Sequence, residues 1–336
     1  MRTSRREFLT GATAAAGVAL STRVPAWSNV TKAPLLHSSF RVSVINDEIS
    51  QDFDRSCSVA REFGMQWIEL RGMWDKNIVN LNSKEIAEAQ RILRKYELQV
   101  TDIASPLFKT AWKDDPRTKE KQADDFHSAF TFEQQGEVLD RAIAMAKAFK
   151  TDRVRCFDFY RLDNPAPQRA AINQTLLDAA NKCGKNGLIL VLENDGGLNT
   201  SSGADAAKVL VAVQSPYFML NWDPGNAAAN GEKAYPDGYN LLPKNRIGHC
   251  HCKDVAKRDA ENKDIKPGED EWAAMGKGIV DWEGQFKALK RDGYHFAVSL
   301  ETHWQGGGTP EKSSRQSWAG MKGLLQRAGA LGREMR

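Results

Sequence analysis

The sequence predicts an α/β fold, a closed (β/α)8 barrel, over most of its 336 residues. Strand-like and helix-like stretches alternate from about residue 40 to the end, a pattern typical of a parallel sheet covered by helices. Several strands in the second half of the chain end in a side chain that favours metal binding. An open, doubly wound sheet is the alternative, but a closed barrel brings the ends of distant strands to one site more directly.

The predicted strands are short apolar runs followed by a loop or by the start of a helix. They cover residues 40–48, 66–71, 98–105, 153–159, 188–193, 217–223, 246–253 and 294–301. Amphipathic segments between them predict helices over residues 54–63, 83–96, 132–149, 168–183, 204–213, 282–291 and about 311–329. Gly64, Gly187 and Gly293 stand between a helix and the next strand, where a left-handed C-cap is favoured. The charged stretches 109–130 and 255–277 predict long loops, which either shape a pocket or form solvated surface.

The first 26 residues predict a signal peptide, because a charged start precedes a short apolar stretch and a small-residue cleavage site. The Arg5-Arg6 pair followed by Phe8-Leu9 resembles a twin-arginine export signal. An ordinary secretory signal or a basic tail is the alternative. We therefore expect export by the twin-arginine machinery and a periplasmic protein. The expected domains are a signal peptide over residues 1–26, a linker over 27–39 and a barrel over 40–336.

The charge of the chain indicates neither nucleic acid nor membrane as a partner. The net charge is +4, and the signal segment with its four arginines and one glutamate contributes +3, which leaves about +1. The apolar stretch at residues 11–20 is far shorter than the roughly 20 residues of a membrane span, so no membrane anchor is expected. The five cysteines are odd in number, and their spacing is not that of a disulfide scaffold, so we expect buried packing roles.

Four consecutive strands of the second half end in Glu193, Asp223, His251 and Glu301. The C-terminal ends of parallel strands meet at the mouth of a barrel, where its chemistry occurs. Three carboxylates and one imidazole form an oxygen-rich ligand set for a divalent cation. We expect Mn²⁺ first, with Mg²⁺, Co²⁺ or Zn²⁺ as alternatives. One acid at a strand end would be read as solvated, but four on successive strands predict a metal site.

Several motifs together resemble those of the xylose isomerase-like barrel superfamily, often called sugar phosphate isomerase/epimerase. They are Ile68-Glu-Leu-Arg71, Val191-Leu-Glu193-Asn194, Asn221-Trp-Asp223-Pro-Gly-Asn226, His249-Cys-His251-Cys-Lys253-Asp254, Gly276-Lys-Gly-Ile-Val-Asp281-Trp282 and the last strand ending at Glu301. The resemblance implies a xylose isomerase-like TIM barrel and a metal-dependent sugar isomerase or epimerase that works through an enediolate. It also implies that Glu193 and Glu301 are the catalytic pair that removes and returns a proton.

Further side chains are candidates for substrate binding. Strand alternation places His249 and Lys253 on the same face as His251. Arg71 and Lys253 suit hydroxyl or carboxylate oxygens, although structural salt bridges are the alternative for both. Arg155, on the fourth strand, is another candidate.

Two more candidates lie in loops beyond the strands. His303 follows the last predicted ligand by two residues. Asn226 stands where many members of the resembled family place a histidine, and an amide can bind a hydroxyl but is a poor metal ligand. Trp74, Trp222 and Trp304 are candidates for stacking on a sugar, with simple packing as the alternative.

The predicted substrate is an unphosphorylated sugar or sugar derivative, because export is expected and the sequence has no phosphate-cradling glycine-rich loop of the usual kind. A metal-dependent lyase or hydrolase of 3-keto-glycosides on the same site is the alternative. A non-catalytic, exported carbohydrate-binding protein is a third hypothesis, which the intact Glu193 and Glu301 disfavour. A homo-oligomer stays open, as do the identity of the sugar and that of the metal.

Overall fold

The computed structural model of the protein describes residues 34–113, 115, 127–256 and 272–332. The predicted signal peptide and most of the predicted linker lie outside these residues, as do parts of both predicted long loops. Export and the domain boundaries therefore stay predictions from the sequence. In the part of the chain that is described, no helix has the length and apolar character needed to cross a bilayer.

Strands and helices alternate along the described chain. The strands are β1 (Arg41–Val44), β2 (Trp67–Leu70), β3 (Gly72–Met73), β4 (Lys76–Asn77), β5 (Gln99–Leu107), β6 (Arg153–Cys156), β7 (Ile189–Glu193), β8 (Phe218–Trp222), β9 (Ile247–Cys252), β10 (Asp254–Val255), β11 (Trp272–Ala273) and β12 (Ala297–Leu300). The helices are α1 (Phe53–Glu62), α2 (Ser83–Tyr96), α3 (Gln135–Phe149), α4 (Arg169–Lys185), α5 (Gly203–Ala212), α6 (Pro224–Ala229), α7 (Tyr239–Leu241), α8 (Trp282–Arg291) and α9 (Pro310–Arg327). Short 3₁₀ turns cover Asn46–Glu48, Ile78–Asn80 and Lys244–Arg246, and a π turn covers Ala234–Gly238.

Eight of the strands form one parallel sheet in the order β1-β12-β9-β8-β7-β6-β5-β2. The two outer strands of this order approach each other where Ile45, next to β1, forms a parallel bridge with Glu69 of β2. The sheet is therefore a nearly closed barrel. This confirms the predicted (β/α)8 fold and excludes the doubly wound open sheet.

Each predicted strand and each predicted helix overlaps an observed one. The sequence did not predict the β3–β4 and β10–β11 hairpins or the short helices α6 and α7. Strands of two residues are too short to show an alternation of apolar and polar side chains, so periodicity cannot find them.

Local capping explains where several helices begin and end. Asn82 accepts from the backbone N–H groups of Lys84 and Glu85, and the Glu85 carboxylate accepts from the backbone N–H of Asn82, which together form a capping box at the start of α2. The predicted left-handed glycines do adopt positive φ angles, of 81° at Gly64, 75° at Gly187 and 77° at Gly293.

The N-terminal end of the barrel is closed by Arg153. Its side chain is 2% exposed, Nε donates to the carbonyl of Gly248 at 2.8 Å, and the guanidinium lies 4.2 Å from the centre of the Phe296 ring. The interior of the barrel is therefore packed at the end where β6 begins. All five cysteines are unpaired and buried, which confirms the predicted packing role.

Candidate active site

The four predicted metal ligands converge at the C-terminal end of the barrel. Nδ1 of His251 lies 3.1 Å from Oε2 of Glu301, 3.3 Å from Oε1 of Glu193 and 3.9 Å from Oδ2 of Asp223. One ligand atom from each residue lies within 4.8 Å of those of the others. All four side chains are buried. Residues more than 100 positions apart in sequence thus surround one small volume.

Period-two alternation along the strands explains this convergence. On β7, Glu193 follows Val191 on one face, while Leu190 and Leu192 belong to the other. Parallel pairing then aligns the strand ends, since Glu193 is opposite Asn221 and Ser299 is opposite His251. The polar residues at the ends of these strands therefore lie at a similar level along the barrel axis.

Glu69 orients His251 by contacting the ring nitrogen that faces away from the other carboxylates. Nε2 of His251 lies 2.9 Å from Oε1 of Glu69, and Nε2 of His249 lies 3.0 Å from the second oxygen of the same carboxylate. All three side chains are completely buried. When Nε2 of His251 donates its proton to Glu69, Nδ1 is the nitrogen left for a cation, a common arrangement for metal-binding histidines.

Neighbouring charges shift the pKa values of His251 and Glu69. Burial alone would lower the pKa of His251, but Glu69, Glu193 and Glu301 raise it well above the usual value. Burial alone would raise the pKa of Glu69, and the neighbouring His251 and His249 instead lower it well below the usual value. This shift favours a protonated His251 when no cation is bound, and a metal ion at Nδ1 would have to displace that proton.

Glu193 is held by an arginine and an amide. Nη1 of Arg155 donates to Oε2 of Glu193 at 3.0 Å, and the side-chain amide of Asn226 donates to Oε1 at 3.3 Å. Burial opposes ionisation of Glu193, but the charges of His251 and Arg155 outweigh it and lower the pKa to about 2. Glu193 is thus a carboxylate at neutral pH.

Asp223 combines a structural task with a contact to the site. Its Oδ1 caps helix α6 by accepting from the backbone N–H of Asn226 at 2.8 Å. Its Oδ2 lies 3.0 Å from Nζ of Lys253. Burial raises the pKa of Asp223 to about 6 despite the opposing charge of Lys253.

Glu301 is surrounded by cations on both of its oxygens. Nζ of Lys253 lies 2.7 Å from Oε2, while Nη1 of Arg71 lies 2.8 Å and Nε2 of His303 lies 3.0 Å from Oε1. Burial acts against ionisation of Glu301, but Lys253, His251 and His303 together lower its pKa well below the usual value.

The model of the xylose isomerase-like TIM barrel family matches residues 57–324 of this sequence. The chain belongs to this family. No curated protein sequence matches it significantly.

Solved structures share the xylose isomerase-like fold. The probable 3-DHS dehydratase AsbF from Bacillus anthracis is similar at 19% identity and a TM-score of 0.65, over 85% of this chain and 99% of that one. D-allulose 3-epimerase from Methylomonas sp. is similar at 16% identity and a TM-score of 0.61, over 87% and 99% of the two chains. The IOLI protein, solved with a zinc atom, is similar at 13% identity and a TM-score of 0.64, over 86% and 99%. At these identities the likeness shows the fold alone.

The donor set of this xylose isomerase-like barrel fits a divalent cation. Nδ1 of His251 and Oδ2 of Asp223 are buried and form no well-aligned hydrogen bond to a described residue. Nδ1 lies 3.3 Å from a carboxylate oxygen of Glu193 and 3.1 Å from one of Glu301, so a cation placed among these atoms would satisfy them together.

Arg71 lies where a second cation would otherwise be held. Glu48, Glu301 and His303 form another possible ligand group. Arg71 donates through Nη2 to Oε1 of Glu48 at 2.7 Å and through Nη1 to Oε1 of Glu301, and its Nε lies 3.0 Å from Oδ1 of Asp47. Its guanidinium already compensates these carboxylates, so a protein cation takes the place of a metal ion in this group.

The predicted substrate-binding residues divide into two groups. Asn226, Lys253, Arg71 and His303 each contact one or more of the converging carboxylates. His249 instead lies in the layer below, completely buried against Glu69. That position suits support of Glu69 better than contact with a substrate.

The proposed stacking tryptophans have different surroundings. Trp222 is completely buried and donates through Nε1 to Gln285 at 3.0 Å. Trp74 packs edge to face on Phe53, with ring centres 6.1 Å apart. For these two residues the structure favours the packing alternative.

Sequence reasoning did not assign several residues of the site. Glu69 contacts His251, while Asp47 and Glu48 contact Arg71. Trp272 lies beside Lys253. Asp47 and Glu48 form an acidic pair shortly after the first strand, and this position could have marked them as site residues. Trp272 lies in a charged stretch without periodicity, and the sequence offered no signal for its position.

The turn over residues 276–282, which resembles a family motif, is hydrogen-bonded to Lys253 and Asp254 at the end of β9. Asp254 accepts from the backbone N–H groups of Gly276, Gly278 and Val280 at 2.9 to 3.1 Å. Nε1 of Trp282 donates to the carbonyl of Lys253 at 3.0 Å. A Cβ atom at Gly278 would come within 2.2 Å of the Asp254 carboxylate, so glycine is required for this close approach.

Proposed function

We propose that this protein is a divalent-metal-dependent isomerase or epimerase of an unphosphorylated sugar or sugar derivative. The observation that carries the proposal is the group of three buried carboxylates and one imidazole at the mouth of a xylose isomerase-like barrel. Glu193, Asp223, His251 and Glu301 would hold the ion. Oxygen-rich ligands with one nitrogen favour Mn²⁺, with Mg²⁺, Co²⁺ and Zn²⁺ as alternatives. When bound, the ion supplies Lewis-acid polarisation of a substrate carbonyl.

Glu193 and Glu301 would exchange a proton with the carbon beside that carbonyl. Their lowered pKa values leave both side chains ionised at neutral pH, which is the form that a base requires. Because such carboxylates are weak bases, polarisation of the carbonyl by the ion would have to acidify the C–H bond. Arg155 and Arg71 each contact one oxygen of these carboxylates and thereby fix their orientation. Removal by one carboxylate and return by the other on the opposite side would invert the carbon. Return to the former carbonyl carbon, with transfer of the neighbouring hydroxyl proton to the former carbonyl oxygen, would give an isomer.

The charge balance of the site supports a substrate without a phosphate group. Each of the cations Arg71, Arg155 and Lys253 already contacts at least one buried carboxylate. A phosphate would have to compete with these carboxylates for the same donors. Hydroxyl and carbonyl oxygens, which are neutral, carry no such penalty.

A lyase or hydrolase of 3-keto-glycosides is the second candidate. Lys253 places an ammonium group within 3.0 Å of both Asp223 and Glu301, where it can donate a hydrogen bond to a leaving oxygen after the same C–H bond is broken. The carboxylate that removed the C–H proton can then return it to that oxygen. The similar structure described as a probable dehydratase carries a name that denotes elimination. The two candidates differ in their products, a sugar of unchanged mass or a released fragment.

The decisive experiment is hydrogen exchange in D₂O. The purified protein is loaded with Mn²⁺ and offered free ketoses and 3-keto-glycosides, and deuterium beside the carbonyl is measured by NMR. Incorporation into at least one substrate class is expected. Absence of exchange on every substrate, with the metal shown to be bound, would refute both enzymatic candidates and favour a carbohydrate-binding protein.

Glu301→Gln tests the assigned base. The change removes a charge but little volume, so the variant is expected to fold and to lose about a hundredfold or more in turnover. Glu137→Gln is the matched control, because the Glu137 side chain is 61% exposed on α3 and should not affect turnover. Normal turnover of Glu301→Gln would contradict the role.

We also propose export to the periplasm through the twin-arginine route, from the motif around Arg5 and Arg6. Cell fractionation of the natural chain should recover a protein that begins near Trp27. Replacement of both arginines by lysine should leave the full-length chain in the cytoplasm. Unchanged export of that variant would refute the route.

A further inference from the structure

Trp272 places a partly exposed aromatic ring beside the charged groups of the site. It belongs to β11, which pairs with β10 directly after Lys253, and the backbone of Trp272 is opposite Val255. The hairpin thereby returns the chain to the mouth of the barrel. The Trp272 side chain is partly exposed, in contrast to the buried carboxylates nearby.

Two contacts connect Trp272 to the two ends of the Glu301 carboxylate. Nζ of Lys253 lies 5.0 Å from the centre of the Trp272 ring, and the same atom contacts Oε2 of Glu301 at 2.7 Å. The rings of Trp272 and His303 are 5.6 Å apart and inclined by 41°, and His303 contacts Oε1 of Glu301. Trp272 therefore borders the same volume as the proposed base.

We propose that Trp272 binds substrate by stacking on the C–H face of a cyclic sugar, so that the substrate class is a ring-form keto-sugar or keto-glycoside. This inference rests on the proposed function, because it concerns the same site. A six-membered sugar ring presents axial C–H groups as a compact apolar patch, which an aromatic face can cover. An open-chain ketose has no persistent patch of this kind. The hydroxyl and carbonyl groups of the ring remain free to contact the polar side of the site.

The test compares a ring-form substrate with one that cannot form a six-membered ring. Methyl 3-keto-glucopyranoside and the four-carbon ketose erythrulose are the two probes, and kcat/KM for deuterium exchange is measured with the Mn²⁺-loaded protein. Trp272→Leu is expected to lose about five- to tenfold on the glucopyranoside and to keep most of its rate on erythrulose. Trp272→Phe should retain most of the activity on both.

Trp67→Leu is the matched control, since Trp67 is also partly exposed but begins β2 at the opposite end of the barrel. Its kcat/KM should equal that of the unmodified protein on both probes. An equal loss on both probes in Trp272→Leu, or full activity on the glucopyranoside, would overturn the inference.

A second measurement separates failure of this inference from failure of the proposed function. If the unmodified protein exchanges no deuterium on any probe, the proposed chemistry fails. Stacking is then tested by saturation-transfer NMR with the same glucopyranoside. Transfer to its axial protons in the unmodified protein, lost in Trp272→Leu and kept in Trp272→Phe, would support the contact. Its absence in the unmodified protein would refute it.

Discussion

Replacement of Glu69 by glutamine is expected to weaken binding of Mn²⁺ by about 10- to 100-fold. Glu69 is completely buried and accepts from Nε2 of His251 at 2.9 Å and from Nε2 of His249 at 3.0 Å. Glutamine keeps the shape of the side chain but offers one acceptor where the carboxylate offers two. One imidazole therefore loses its acceptor, and the charge that favours Nε2–H on His251 disappears.

The magnitude follows from these contacts. A hydrogen bond to a charged group contributes about 1.5–3 kcal/mol, and 1.4 kcal/mol corresponds to about tenfold in affinity. Loss of one such bond therefore agrees with the expected range. Isothermal titration calorimetry with Mn²⁺ measures the dissociation constant, and urea denaturation of the metal-free protein measures folding separately.

Two outcomes decide the reasoning. Glu137→Gln, on the exposed face of α3, should bind Mn²⁺ like the unmodified protein. If Glu69→Gln also binds Mn²⁺ with unchanged affinity while folding normally, then Glu69 does not orient His251 and the explanation is refuted.

Three further perturbations test the charges of the barrel. Because the pKa of His251 is raised well above its usual value and burial raises that of Asp223 to about 6, protons are displaced by the ion. Affinity for Mn²⁺ should rise with pH through about 6 and above, and calorimetry in buffers of different ionisation enthalpy should detect proton release; zero release would contradict this. Lys253→Met should destabilise the metal-free protein by about 3 kcal/mol, because Asp223 and Glu301 lose their shared cation. Mn²⁺ should then raise the melting temperature of this variant more than that of the unmodified protein. An equal rise would argue against a shared site. Arg153→Met should reduce the free energy of unfolding by about 1.5–3 kcal/mol without changing Mn²⁺ affinity, since Arg153 closes the opposite end of the barrel; an altered affinity would show that the two ends are coupled.

The barrel was predictable from the sequence because its main elements carry strong local patterns. The runs that became β7 and β8 are mainly apolar and have strand length, and the helices between strands have apolar faces at helical spacing. The small hairpins were not predictable. β3 and β10 each have two residues, and their pairing depends on how the barrel presents its edge.

The candidate site was predictable only in part. Glu193 and Glu301 each complete an apolar run, so strand alternation and the parallel topology place them together without knowledge of side-chain contacts. Glu69 lies on the face shared with Arg71, yet its contact with His251 joins strands 182 positions apart. No local pattern encodes such a contact.

The sequence by itself determined which strand ends carry carboxylates and imidazoles, since the order of polar and apolar residues decides which side chains point into a barrel. Only the tertiary structure decided how these groups are paired: Arg155 on Glu193, Arg71 and Lys253 on Glu301, and Glu69 beneath His251. The reason is electrostatic. In a buried site the protonation and orientation of each group depend on charges a few ångströms away, and closure of the barrel sets those distances.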